Sequence, residues 1–406
     1  MALRGHLPHP RFTTPLPATH GATSGTFCNF FRDISPVVSN LCSEPISVVV
    51  GTNTDVRRRR AEEVLCLPRS RAAHRRRHAI WGDTTMTDPR MMISGQTAHI
   101  IRRCRQGQFL LKPTEYTTSV VKYEIAKAAS KTDQAISGAT FMSNHYHLMT
   151  LDMNASRSAF VGNLNREITR RLKKHLSLSR GIWAQERFKD IQVGDAQREL
   201  ETLVYIWTNP VKDGLVARVE DWPGFQVLPQ HWGEEITVKR PSKHYGKGCP
   251  ETVSFTPQPP ACLRHLPLER AIAKCQQLIH QKEEEYRLQR LETCKEILGR
   301  NAVLTVCPTD VPDSDFQPAG AATGFSYSSP DAEKAAEDRY RQFKDQYETQ
   351  RQRWQAGQVA TFPCGTLHLR LNASIDCHPP PSDLPGIYRE DPDDEAQAPA
   401  DSSHLG

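Results

Sequence analysis

The chain has 406 residues, a formal charge of +6, 29 prolines and only 7% aromatic residues. That length allows two or three domains, but sparse aromatics and abundant proline point to one modest packed core with much extended chain around it. The eleven cysteines are odd in number, scattered and without a C-x-x-C pair, which argues against a zinc knuckle or a disulfide framework and for a reducing cytoplasm.

Residues 1–93 show no sustained period and carry two basic clusters, Arg57 to Arg60 and Arg75 to Arg77. They read as a disordered basic leader, as a nucleic-acid-binding arm, or as sequence upstream of a later start at Met86, Met91 or Met92. Scarce acidic residues also admit a mitochondrial leader. The first twenty residues hold prolines and histidines where a secretory signal needs an apolar core. No stretch approaches the roughly 18 apolar residues of a membrane span, so no membrane partner is expected.

From residue 94 the pattern becomes regular. Segments 97–103 and 109–111 read as strand material. Pro113 suits a first helical turn, and Val120, Val121, Ile125 and Ala128 recur at helical spacing, which predicts a helix near 113–131. Strands are expected at 135–142 and from 145 to 151, joined at Ser143 and Asn144. A helix near 156–178 follows, with Ser156 or Ser158 as N-cap, then a strand within 182–193. Asp195 can cap a helix that Pro210 should end near Asn209. The order strand, helix, strand, strand, helix, strand, helix predicts an α+β fold at 94–233, an antiparallel sheet with helices mainly on one face. Residues 234–377 hold a proline-rich stretch and two charged helical patterns, at 268–298 and 331–355, which either pair as a hairpin or stand in solvent. Residues 378–406 read as a disordered, acidic, proline-rich tail.

The chemistry sits in two short segments. In FMSNHYHLM, at 141–149, alternation along a strand points His145 and His147 to one face and Tyr146 to the other. Two imidazoles so placed can grip one divalent metal, although a chain with sixteen histidines can also produce H-x-H by chance. In LETLVYIWTNP, at 200–210, Leu200, Leu203, Val204 and Trp207 form an apolar stripe. Tyr205 lies off its centre and shares a helix face with Asn209. The pair can serve one site. Equally, Tyr205 can be an ordinary half-buried aromatic and Asn209 a C-terminal cap.

Taken together, MSNHYHLM (142–149), GIWAQERFKDIQV (181–193), YIWTNPVKDGLV (205–216) and Asp221-Trp222-Pro223 resemble the REP-associated tyrosine transposase branch of the single-tyrosine HUH transposases. The resemblance spans about 94–230. It departs at Ser143, where proline is common, and at Tyr146, which fills a usually hydrophobic position. It implies a helix-sandwiched, ferredoxin-like sheet, His145, His147 and Asn209 as ligands of Mg2+ or Mn2+, and Tyr205 as the nucleophile. It further implies a hairpin of single-stranded DNA as substrate, a 5′-phosphotyrosine intermediate with a free 3′-hydroxyl, and rejoining by reversal. Related enzymes are monomers or dimers, and this sequence carries no clear interface signal. Basic side chains at Arg166, Arg170, Arg171, Lys173 and Lys174, with Arg187 and Lys189, are the expected DNA-phosphate contacts, or else a solvated helix face. A catalytically silent DNA-binding copy and a phosphodiesterase that uses water are the competing readings.

Overall fold

The computed structural model describes residues 88–312, 323–373, 375–381 and 384–389. Residues 1–87 of the leader and 390–406 of the tail therefore lie outside the described residues, whereas Met92 and Ile93 are buried and the Tyr388 N–H donates to Gly95 O at 2.7 Å, so the ends of both segments pack on the fold. The regular elements before residue 233 are β1 (Gln96–Arg103), α1 (Glu115–Thr132), β2 (Ala135–Phe141), β3 (His145–Asp152), α2 (Arg157–His175), β4 (Lys189–Val193), α3 (Ala196–Lys212) and β5 (Gln226–Val227). Beyond it come β6 (Ile236–Lys239), β7 (Thr252–Phe255), α4 (Leu268–Thr293), α5 (Arg300–Thr305), β8 (Thr323–Ser326), α6 (Pro330–Gln355), β9 (Thr361–Phe362), α7 (Leu367–Ala373) and β10 (Asp376–Cys377).

The fold is α+β, built on one six-stranded sheet in the order β5-β2-β3-β1-β4-β8. The sheet is mixed. Its first five strands pair antiparallel, while β8 lies parallel to β4, with Asp190 opposite Thr323. The central strands are long β-rich runs, and alternate side chains load both faces. On one face Ile100, Tyr146 and Leu148 pack with Val120 and Ile125 of α1 and Phe160, Leu164 and Ile168 of α2. Against the other face lies α3. Helices thus cover both faces, not mainly one, because β1 and β3 are buried on both sides.

Local chemistry explains the helix ends. The Thr114 side chain accepts from the backbone N–H of Thr117, and α1 stops at Asp133 in the left-handed region, φ 53°. Asp195 caps α3 as expected, accepting from the N–H of Arg198 at 2.9 Å. Ser156 occupies the cap position of α2 without capping it by its side chain. The buried carboxylate of Asp152 does so, accepting from the N–H groups of Ser156 at 2.8 Å and Arg157 at 3.0 Å.

Three expectations are corrected. Pro210 does not end α3, which runs on to Lys212. Proline forgoes only its own N–H bond there, close to the helix end, and the buried Val211 holds the last turn. Segment 109–111 is a turn, with the N–H of Leu111 bonded to Ser143 O at 2.8 Å. The two charged helices do not form a hairpin. Instead, α4 lies along α3, and α6 packs on β8 and β9.

The approach of α3 to the sheet depends on Gly138. A Cβ there would stand 2.6 Å from Leu203 Cδ2 and 3.0 Å from Trp207 Nε1. Leu203 can turn aside, but Trp207 is pinned by donating to Val227 O at 2.7 Å. Gly138→Ala is therefore expected to cost about 1–3 kcal/mol by overpacking, measured by denaturant unfolding.

Candidate active site

Strand β3 and helix α3 bring the two sequence segments together. Register places Ile101 opposite His147 and Arg103 opposite His145 on β1. His145 and His147 share the face toward α3, with ring centroids 4.8 Å apart and nearly perpendicular planes. Tyr146 points the other way, fully buried, and its hydroxyl donates to Asn165 Oδ1 at 2.9 Å. The Tyr205 ring lies 5.4 Å from that of His147. Asn209, one turn later, sits beside both His145 and Tyr205.

Each histidine is held by its second nitrogen. His145 Nδ1 donates to Asn144 Oδ1 at 2.7 Å, which leaves its Nε2 for the Asn209 side. His147 Nδ1 lies 2.9 Å from His99 Nε2. Two buried atoms here, His147 Nε2 and Asn209 Oδ1, have no hydrogen-bond partner. Burial favours the neutral imidazoles. It lowers His145 to about 4, helped by the nearby Arg103, and His99 to about 3, helped by Lys189. His147 falls well below the ordinary range through burial, then through His145 and His99. All three therefore offer lone pairs at neutral pH.

Tyr205 is only 8% exposed. Burial pushes its hydroxyl up, with the Asp213 carboxylate and Tyr286 of α4 adding to the rise, while Asn209 and Arg103 oppose it. Lys212 Nζ stands 5.0 Å from the ring centroid. Next to His145 opens a cavity of about 730 Å³, with Arg103, Asn144 and Asp213 among its polar walls and Phe109, Leu215 and Val303 among its apolar ones.

The basic residues divide. Arg166 and Arg170 are exposed, but both approach Glu167, at 3.7 and 2.7 Å. Arg171 is buried instead of facing solvent. It pairs with Glu124 and Glu167 and donates to His244 O at 2.6 Å, because a guanidinium can satisfy several acceptors at once. Lys174 is exposed and Lys173 half-buried. These five lie on α2, across the sheet from Tyr205. Arg187 and Lys189 instead share a hollow with Arg102 and Arg103, at the edge nearer His145. Trp183 and Trp207 are held internally, donating to Asn165 O and Val227 O.

Sequence reasoning missed His99, Arg103 and Asp213. His99 and Arg103 lie at alternate positions of β1, a period-2 signal, but only strand pairing reveals that they stand beside His147 and His145. Among the described residues no group of three or more His, Cys, Asp or Glu could hold a metal ion. Among them, too, no helix is long and apolar enough to cross a membrane.

No family model matches the chain, and no curated protein matches it. Among solved structures the chain is similar to a REP-associated tyrosine transposase bound to a REP hairpin, with 23% identity over 36% of this chain and 85% of that one, at a TM-score of 0.30.

Proposed function

We propose that the chain is a transposase-like enzyme that cleaves and rejoins single-stranded, hairpin-forming DNA through a covalent bond to Tyr205. The observation that carries this reading is the convergence of Tyr205 with His145, His147 and Asn209, two of whose buried polar atoms lack partners. The catalytic unit is proposed to be the region 94–233, with 234–377 as an extension.

A divalent cation, Mg2+ or Mn2+, fits these residues. His147 Nε2 and Asn209 Oδ1 are buried lone-pair atoms without hydrogen-bond partners, and His145 is oriented by Asn144. When bound, such an ion polarises the scissile phosphate and neutralises developing charge. His145 and His147 stay neutral and present lone pairs, while Asn144 keeps the His145 ring from turning. Tyr205 Oη attacks phosphorus in line. The new bond is Tyr205 O–P, the bond that breaks is P–O3′, and the departing 3′ oxygen takes up a proton to become a hydroxyl. The phenolic proton must leave as the new bond forms, and burial makes that loss costly before DNA arrives. The phosphotyrosine conserves the diester's energy, so a 3′-hydroxyl can reverse the step and rejoin strands. Arg103, Arg187 and Lys189 are the proposed phosphate contacts nearest the site, and Arg166, Arg170, Lys173 and Lys174 a more distant track.

One observation favours a second reading. Tyr205 is nearly enclosed, whereas the cavity beside His145 is open to water, so a metal-dependent phosphodiesterase in which water attacks is the alternative. Incubation of the full chain with a hairpin oligonucleotide and Mn2+ separates the two. The proposal predicts a protein–DNA adduct resistant to denaturant. Cleavage without an adduct means water attack, and binding without cleavage means a silent DNA-binding protein.

A further inference from the structure

We infer that His99 is a positioning residue, which holds the His147 ring by accepting its Nδ1 proton so that Nε2 faces the cation. The inference rests on the metal site proposed above and adds a residue to it. Three observations carry it. His99 Nε2 lies 2.9 Å from His147 Nδ1. His99 is 1% exposed and His147 3%, so water does not compete for that contact. The opposite nitrogen of His147, Nε2, is buried without a partner.

A neutral imidazole carries one N–H and one lone pair. For His147 Nε2 to be a ligand, its proton must sit on Nδ1, and the atom facing Nδ1 must accept. Asn144 meets the same need for His145 with an amide oxygen, at 2.7 Å. For His147 the atom facing Nδ1 is another imidazole nitrogen, His99 Nε2. His99 must therefore carry its own proton on Nδ1 and keep Nε2 as a lone pair. Its Nδ1 is buried without a partner, so the arrangement costs His99 a hydrogen bond. A buried histidine with one nitrogen unsatisfied is an expensive way to fill space beside Ile101, its neighbour on the same strand face. It is understandable if its task is to fix the neighbouring ring.

The pair also stack, with ring centroids 5.1 Å apart and planes 29° from parallel. The His99 ring lies 6.4 Å from that of Tyr205, edge to face. The contact therefore fixes the tilt of His147 as well as its tautomer, and His99 touches neither cation nor DNA.

The test is cation binding, with thermal melting as the control. Mn2+ titrated into the wild-type chain should bind, and His147→Ala should abolish binding. His99→Leu keeps the volume but removes the acceptor, and should weaken Mn2+ binding about 10- to 100-fold. His99→Gln retains an acceptor oxygen and should recover most of that loss. Equal affinity in wild type and His99→Leu, with binding still lost in His147→Ala, overturns the inference and leaves the metal site standing. No Mn2+ binding by the wild type overturns the metal site itself. If His99→Leu does not fold, histidine nitrogen NMR of the wild-type chain with Mg2+ decides. The proton should be on His147 Nδ1 and absent from His99 Nε2, and a proton on His99 Nε2 contradicts the inference.

Discussion

Tyr205→Phe is expected to abolish adduct formation and to slow strand cleavage by at least about 10⁴-fold, a barrier increase of about 5 kcal/mol. The substitution removes one oxygen and keeps the ring, which packs beside His147 and His99 and is almost fully buried. The cation site loses none of its proposed donors, so Mn2+ affinity should stay within a few-fold of wild type. DNA binding should also persist, because the proposed phosphate contacts are Arg103, Arg187 and Lys189. The combination is diagnostic: binding intact, cation bound, chemistry gone. Denaturing gels with end-labelled hairpin DNA measure both products. Cleavage that survives in Tyr205→Phe but vanishes in His145→Ala assigns the attack to water.

The largest stability effect is expected at Arg157. Its guanidinium is 3% exposed and pairs with Asp152 at 3.5 Å and Asp190 at 2.9 Å, on side chains 0% and 4% exposed. These groups join the end of β3, the start of β4 and the first turn of α2. Asp152 also caps α2 through two backbone N–H groups and accepts from Gln134 Nε2 at 2.7 Å. Arg157→Met removes the cation and leaves two buried carboxylates, of which Asp190 keeps, among the described residues, the Arg90 guanidinium at 3.8 Å. Breaking one partner of such a network costs about 3–5 kcal/mol, more than the pair itself is worth, because the remaining charge is stranded. Melting should fall by roughly 10 °C on that basis. A change below about 1 kcal/mol would mean that water reaches Asp152 and Asp190.

Sequence periodicity placed the proposed site residues on their elements, while the family resemblance singled them out. The alternation of His145, Tyr146 and His147 along one strand, and the one-turn spacing of Tyr205 and Asn209, both hold in the fold, since each depends only on local geometry. What depends on long-range pairing was not legible. His99 is 48 residues from His147, and only the β1–β3 register brings them together. The strand at 323–326 joins the sheet beside β4 after more than a hundred intervening residues. Its four residues, TGFS, carry no strand signal of their own. Arg171 looked like its neighbours on α2 because charge alone does not reveal Glu124, 47 residues away on α1. Pro210 misled for a different reason: the rule that proline stops helices concerns the hydrogen bond it loses, and near a helix end buried packing can outweigh that loss.

The central claim is that Tyr205 becomes joined to DNA. Mass spectrometry of the nuclease-trimmed, proteolysed product tests it directly, after the full chain has reacted with hairpin DNA and Mn2+. The account predicts one modified peptide, from the α3 region, with a 5′-linked nucleotide on Tyr205 and a free 3′-hydroxyl on the released strand. Cleaved DNA with Tyr205 unmodified, or a nucleotide on another side chain, would contradict it.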